Sequence, residues 1–408
     1  MFRLLVLTPL LAGVAAAYPQ LVCAQPTRTV SIEEVIEYAL RESPLVREID
    51  AAAAASRAEG IALGTLQNPV LDGEYRRPTS DAGRKRANEA AASLSQPLRL
   101  SNFGQRQRVN ELIQKSADTD RALAVLGLTE QLRLLYAKGW ALSERRQQLA
   151  STRKGAEEIL RSVEQAIGRG LFGKGDGALF RAEERRLKAE LVGIEADLER
   201  VRAELTRKST MQLADVEFSR PLWLDLAITG GSVHTSSLPI QRRAELLQNL
   251  ADEHSRLARM DRFPRFAPRL VYARTNDGFD YGGVGISVDL PVFDTNRAEK
   301  QKREAEASAA RATATYFSSD SFAQEVGYLS KAIGATYSQS EITRSEVVPA
   351  LEEALRTFKQ RLQSGQAALP QIWQTIQAVN EARQTALDLF VKAATARAEL
   401  SVMVGEDV

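Results

Sequence analysis

Residues Gly283-Val284-Gly285-Ile286-Ser287-Val288-Asp289-Leu290 alternate without a break. Val284, Ile286, Val288 and Leu290 fall on one face of an extended chain, and Gly283, Gly285, Ser287 and Asp289 on the other, because side chains along a strand alternate with a period of two. An apolar face backed by a small or polar face is the pattern of a barrel strand with lipid outside and water inside. A strand of about ten residues has the length to span a bilayer. Upstream, Arg269-Leu270-Val271-Tyr272-Ala273-Arg274 alternates in the same sense, with Leu270 and Tyr272 on one face. Val70–Tyr75 (VLDGEY) and Ala91–Gln96 (AASLSQ) alternate more weakly, with Leu71, Tyr75 and Leu94 as membrane-strand candidates. Read without the rest of the chain, these strands also suit a small soluble sheet capping helices. In a membrane, four strands cannot close a barrel and an open edge does not survive in lipid, so membrane strands here require further copies of the chain. The connecting stretches RRPTSDAGRKR (76–86) and TNDGFD (275–280) are polar and would face one aqueous side.

The punctuation around the two hairpins occurs twice. Pro44 and Pro239, Pro69 and Pro264, and Gly170 and Gly365 each stand 195 residues apart, and Pro97 and Pro291 stand 194 apart. Four landmarks in one order at one offset indicate a tandem duplication. Each repeat has the same plan: a helix of about 20 residues, a β-hairpin, a very long helix, a glycine-containing break and a long return helix. Ser31 with Glu34 three residues on is a capping box that opens a short first helix. The helix after Pro44 runs through Ala51–Ala55 to Leu66, and its counterpart spans Ile240 to Met260.

The long helices are expected at Asn102–Ile167 and Thr295–Leu362, each on the order of 100 Å at 1.5 Å per residue. Pro349 should kink the second or mark a defect in it. The return helices carry heptads: Leu187, Leu191, Ile194, Leu198, Val201 and Leu205 in the first, and Ile372, Ile376, Val379, Ala386, Phe390, Ala393 and Leu400 in the second. Arg383 and Arg397 interrupt that frame. A narrow apolar seam of this kind is the coiled-coil condition. It serves a two-helix hairpin, and neighbouring hairpins could close a tube.

Composition narrows the function classes. The 408 residues hold 54 basic and 52 acidic side chains, a net charge of +2, which gives no reason to expect a nucleic-acid partner. Arg3 followed by the apolar run Leu4–Ala17, too short for a bilayer span, and then Val22-Cys23-Ala24, reads as a secretory signal removed after about Ala24. Cys23 is the single cysteine, so the mature chain is expected to hold no disulfide and no cysteine metal site. A lipid-acceptor role for Cys23 would want a small residue before it, where Val22 stands. The two histidines, His234 and His254, belong to no ligand-spaced cluster. Gly168–Gly177 (GRGLFGKGDG) lacks the serine or threonine of a phosphate loop. No catalytic group, cofactor or metal site is expected, and energy for transport would come from a partner.

Nearly all of the mature sequence resembles the TolC-type outer-membrane efflux proteins. The resemblance rests on SIEEVIEYALRESPLV, QNPVLDGEY, LSQPLRL, RFPRFAPRL, VGISVDLPVFDTNR and SGQAALPQIWQTIQAVNEAR in this order and spacing, and on the duplication. LPVFDTNR looks most like the branch that serves heavy-metal cation pumps. The resemblance implies a mainly α fold with a small β part: long antiparallel coiled-coil hairpins in two tandem repeats, each with a β-hairpin contributing to a trimeric 12-stranded outer-membrane barrel. It implies a homotrimer in the outer-membrane lipid of a Gram-negative cell, with a large periplasmic portion. A periplasmic adaptor (membrane fusion) protein and an inner-membrane resistance–nodulation–division pump would be the partners. The expected organisation is a signal peptide over 1–24, a first repeat over 25–212, an irregular equatorial linker over 213–237 and a second repeat over 238–408.

In that family the glycine breaks are the periplasmic tips, which form the tunnel entrance and touch the adaptor. The tip candidates here are Gly170, Gly173, Asp176, Gly365, Gln371 and Gln374. Family members often carry acidic residues just past the second-repeat glycine, forming a cation-binding ring. Here Gln371 and Gln374 stand there, leaving Asp176 as the nearest carboxylate. The competing readings are a periplasmic coiled-coil adaptor, which would have one hairpin and far more β-structure, and a scaffold without a pore, which leaves the alternating strands unexplained. Divalent metal cations are the preferred cargo, with drugs or a secreted polypeptide as alternatives.

Overall fold

Ser31 caps the first helix as its spacing requires. In the computed structural model its hydroxyl accepts the Glu34 N–H at 3.3 Å, at the start of α1 (Ile32–Glu42), just after a short strand, β1 (Arg28–Val30). The structure describes residues 28–77, 88–98, 102–170, 173–214, 216–223, 238–261, 265–275, 278–289, 296–363 and 369–405. The expected signal peptide with Cys23, and also His234, Leu290 and Gly365, lie outside the described residues. Ser43 then caps α2 (Pro44–Gly64), where Pro44 occupies a position whose N–H would have no helical partner anyway. The same hydroxyl donates to the Lys208 carbonyl at 2.7 Å, fixing the α1–α2 corner to the far end of the first return helix.

The first repeat continues with β2 (Val70–Arg76), β3 (Glu89–Ser95), α3 (Phe103–Gly168) and α4 (Lys174–Ser209). At 66 residues α3 is roughly 100 Å long. Three seam residues of α4, Leu187, Leu198 and Leu205, are buried, Leu187 against Leu149 and the other two in a cluster with Leu132 and Tyr136 of α3. After β4 (Val216–Phe218), the second repeat holds α5 (Pro239–Met260), β5 (Arg265–Arg274), β6 (Asp280–Asp289), α6 (Arg297–Phe317), α7 (Asp320–Ile342), α8 (Val348–Gln363) and α9 (Leu369–Val404). Every apolar heptad position named in α9, from Ile372 to Leu400, is buried.

The second long helix departs from the continuous helix read from 295 to 362: it is broken once, and it carries a π turn beside Pro349, where a kink or defect was expected. The break falls at Ser318–Ser319. Ser319 is extended and its hydroxyl caps α7 by accepting the Phe322 N–H, while Gln241 donates to the freed Phe317 carbonyl at 2.7 Å. Tyr316, Phe317 and Phe322 then stack edge to face within 5.1–5.6 Å. The second irregularity is a π turn over Thr343–Val347, closed by the Val348 N–H on the Thr343 carbonyl. It sits just before Pro349. A proline has no N–H to donate and its ring would strike the carbonyl four residues back, so widening the turn lets the helix pass without a sharp bend.

Strand order and helix order coincide. The sheet runs β2-β3-β5-β6, antiparallel throughout. On the strand side of the molecule, α2 packs on α3, α3 on α5, and α5 on α6. On the other side α4 packs on α3, α3 on α9, and α9 on α7 and α8. The chain is therefore one ribbon four elements wide from the strands to the helical tips. One edge is β2, α2 and α4, and the other is β6, α6, α7 and α8.

Halfway along, β1 pairs in parallel with β4 and closes over α3. The Tyr136 hydroxyl donates to the Val30 carbonyl at 2.6 Å and accepts the Ser219 N–H at 2.9 Å, joining both segments to the helix. Burial pushes the Tyr136 phenol above its usual range, against the opposing pull of Ser219. Phe218 lies edge-on to Tyr136 at 5.2 Å, directly over Gly139, where an added Cβ would come within 2.9 Å of its ring. Tyr136→Phe strands the Ser219 N–H and removes the bond to Val30. Chemical denaturation followed by circular dichroism should register a loss of about 1–2 kcal/mol.

Candidate channel-forming surfaces

Cross-strand register turns the weak alternation of single strands into rows. Leu71 stands opposite Leu94, Leu94 opposite Leu270, and Leu270 opposite Val284. Directly opposed residues share a face, so one apolar row crosses the whole sheet. Ile286 opposite Pro268, and Val288 opposite Phe266, extend the face towards the helices. Tyr75 and Tyr272 extend it towards the loops, placing aromatic rings at one end of an apolar band. Leu71 is 74% exposed, Ile286 72% and Val284 85%.

The opposite face carries Val70, Ser95, Arg269 and Gly285 in one row, Asp72, Ser93, Val271 and Gly283 in the next, and Glu74, Ala91, Ala273 and Tyr281 in the third. Along β3 exposure alternates: Ala90, Ala92 and Leu94 are open, whereas Ala91 and Ser95 are half-buried and Ser93 is buried. Along β5, Ala267, Val271 and Ala273 are likewise less exposed than their neighbours. The sheet is thus curled, with its small and polar face inside the curve and its apolar face outside. Small and polar side chains on the concave side can line an aqueous space, and the convex side presents mostly apolar surface, with the exposed Arg274–Asp280 pair at its loop end.

The helical half repeats this division between middle and edge. Among the described side chains, α3 and α5, the two inner elements next to the sheet, show no exposed large hydrophobic residue. The edge helices do: Ile61 on α2, Leu179 and Val192 on α4, Tyr316 on α6, Tyr328, Leu329 and Ile342 on α7, and Val347 in the π turn. Apolar side chains left uncovered along both edges of a ribbon mark surfaces that another polypeptide covers.

The tip candidates gather at one end. Gly170 closes α3 at φ +78, a left-handed conformation that costs a side chain strain. Gly173 is exposed just before α4, and Asp176 lies in the first turn of that helix, its side chain outside the described residues. Gln371 and Gln374 are exposed on the first turns of α9. Sequence reading missed what joins the two tips. Phe180 of α4 meets Trp373 of α9 edge to face at 5.9 Å, in a cluster with Ile159, Val163, Leu369, Ile372 and Ile376. A large aromatic about ten residues past each glycine break was the available signal.

The arginines that interrupt the α9 heptad are cross-ties. Arg383 donates to the Thr152 hydroxyl of α3 at 2.9 Å and to Glu352 of α8 at 2.5 Å, holding three helices together. Arg397 is buried over the Trp223 ring at 5.2 Å. Arg220, beyond β4, reaches Glu341 at 3.0 Å and the Tyr337 hydroxyl at 3.1 Å, gripping α7 one residue short of its end. The described residues hold no group of three or more metal-ligating side chains. His254, on α5, is partly buried, which with Arg303 lowers its pKa. No described helix is long and apolar enough to cross a membrane.

No protein-family model matches the chain, and no curated protein matches it in sequence. Solved structures match it closely in shape. The outer membrane protein VceC of Vibrio cholerae superposes with a TM-score of 0.73 at 16% identity, covering 92% of this chain and 96% of that one. The outer membrane channel MtrE of Neisseria gonorrhoeae gives 0.73 at 19% identity, covering 92% and 89%. CusC, described as forming a transmembrane channel, gives 0.69 at 12% identity, covering 96% and 99%. The fold is the TolC-like channel fold.

Phe180→Ala removes the aromatic joint between the tips and leaves a cavity, a loss of about 3–5 kcal/mol for the cluster. Limited trypsin digestion should then cut faster at the exposed Arg169 than in the parent protein, with cleavage elsewhere on α3 unchanged.

Proposed function

We propose that this chain is the outer-membrane subunit of an efflux system. Three copies form a passive duct whose strands build a 12-stranded barrel and whose helices form a tunnel across the periplasm. The observation that carries this is the ribbon with two uncovered edges. Neither β2 nor β6 has a partner on its outer side among the described strands, and lipid offers none. The four strands alternate in direction, so β6 of one copy runs antiparallel to β2 of the next. That head-to-tail contact closes into a ring. The convex apolar face suits lipid and the concave face suits water. The count of three comes from the resemblance to TolC-type proteins, and the likeness to VceC, MtrE and CusC supports the role of a channel.

An exporter of this design places Gly170, Gly173, Asp176, Gly365, Gln371 and Gln374 at the tunnel entrance, where a periplasmic adaptor docks and links it to an inner-membrane resistance–nodulation–division pump. One residue per copy becomes a ring of three, so Asp176 acts as a cation-favouring ring at the mouth. Full-length protein purified from outer membranes should sediment as a trimer and conduct ions in planar bilayers. Tyr328→Glu, at an apolar edge, should yield monomers, and Asp176→Asn should lower the cation preference of the remaining current. A monomeric, non-conducting parent protein would overturn the reading. Unchanged selectivity in Asp176→Asn would remove that residue from the entrance.

The cargo we favour is a divalent heavy-metal cation, on the strength of LPVFDTNR (290–297), most of which lies outside the described residues. The likeness to CusC sits beside equal likeness to other channels and does not add to it. Deleting the gene should sensitise cells to heavy-metal salts. Unchanged metal tolerance with a loss of drug tolerance would reassign the cargo.

A further inference from the structure

The concave face of the sheet is built mainly of small residues, with Val70, Val271 and Tyr281 the larger uncharged ones. β6 contributes Gly283, Gly285 and Ser287, β5 contributes Ala267, Val271 and Ala273, and β3 contributes Ala91, Ser93 and Ser95. A Cβ placed on Gly283 or Gly285 would meet no atom within 4 Å, so packing within the chain does not demand glycine at either position. Against this low wall six charged residues stand out in the described strands besides Arg269; two of them, Arg265 and Asp289, stand opposite each other in register at the helix end. Three of them, Glu74, Arg76 and Glu89, gather at the loop end: Arg76 binds Glu74 at 2.7 Å and stands in register with Glu89. That leaves Asp72 and Arg269. Both are exposed, and neither has an ion-pair or hydrogen-bond partner among the described residues.

Their register sets them in adjacent rows. Arg269 lies opposite Ser95 and Gly285, and Asp72 opposite Ser93. The rows are two residues apart along the strand, about 7 Å, and β2 and β5 are two strands apart, about 10 Å. No direct bridge forms at that spacing, about 12 Å in all and beyond the Debye length of about 8 Å at physiological salt, so neither charge neutralises the other and each acts on whatever passes close to it.

We infer that Asp72 and Arg269 form two oppositely charged rings inside the barrel, alternating around its circumference, and that they select passing solutes by charge at two successive levels. Cationic groups are drawn to the Asp72 level and anionic groups to the Arg269 level. The glycines and serines between them keep the lumen wide, so the rings act by field and not by constriction. This inference rests on the proposed duct, because the rings exist only if the curled sheet closes into a barrel.

The test uses cysteine reporters in the full-length protein, in a Cys23→Ser background, in outer-membrane vesicles. Gly285→Cys and Gly283→Cys report the two levels, and Val284→Cys and Ile286→Cys report the convex face. Two membrane-impermeant methanethiosulfonates are compared, one bearing a sulfonate and one a trimethylammonium group. Positions 283 and 285 should react while 284 and 286 stay protected. The anionic-to-cationic rate ratio should be higher at 285 than at 283. Adding Arg269→Gln should lower that ratio at 285 by about threefold or more, as expected for a unit charge about 7 Å away in water; adding Asp72→Asn should raise it by a similar factor at Ser93→Cys, the position opposite Asp72, and less at 283, three strands away within one copy. Should Gly285→Cys fail to assemble, Ser95→Cys, nearly isosteric and opposite Arg269, reports the same level. Reaction at 284 and 286 in place of 283 and 285 would overturn the duct itself. Reaction at 283 and 285 with rates blind to reagent charge and to both neutralising substitutions would overturn the rings and leave the duct standing.

Discussion

A strand edge in lipid has nowhere to send its backbone hydrogen bonds. In the proposed duct β2 and β6 would bring this constraint to both sides of the ribbon, and much of the architecture would answer it. The strands alternate in direction and number four, so in the proposed duct identical copies would join edge to edge without reversing any strand. The helices follow the strands in the same lateral order, so the ring of the proposed duct would cover the apolar side chains on α2, α4, α6 and α7 together with the open strand edges. The inner elements α3 and α5 need no such cover, and their large apolar residues are already shielded.

Each half of the chain supplies two strands to the sheet, but the halves are not alike. α3 runs unbroken for 66 residues, while its counterpart is divided by the Ser319 cap and the π turn before Pro349. The divided helix is held by side chains from outside its own hairpin: Arg220 from the equatorial segment on Glu341, and Gln241 from α5 on the Phe317 carbonyl. Arg383 from α9 ties it once more, through Glu352. A continuous helix satisfies its own backbone and needs only a seam. An interrupted one exposes carbonyls and turns, and here neighbouring elements supply the partners.

The long helices, the heptads and the better of the two hairpins were legible because each rests on a local period that repeats for many residues. The first long helix was placed within a residue at each end, since the strand exit before it and Gly170 after it are strong punctuation. The break at Ser318–Ser319 was not legible. Its sequence resembles many helical serines, and only the aromatic packing of Phe317 and Phe322 makes the cap worth more than another helical turn. Arg383 and Arg397 looked like flaws in a heptad, because a pattern of apolar residues cannot announce that Thr152, Glu352 or Trp223 will arrive opposite. The tip glycines were visible by their chemistry, but the Phe180–Trp373 joint between them joins two hairpins nearly two hundred residues apart.

Sequence alone determined the main element types and which residues share a face of each strand, because backbone geometry sets periods of two and 3.6 whatever the surroundings. Tertiary structure alone decided which strands are neighbours, and so which charges share a row. It decided that the polar face lies inside the curve and that the uncovered apolar side chains line the edges. These are properties of register and curvature, which depend on contacts between distant segments and leave no periodic trace in either segment alone.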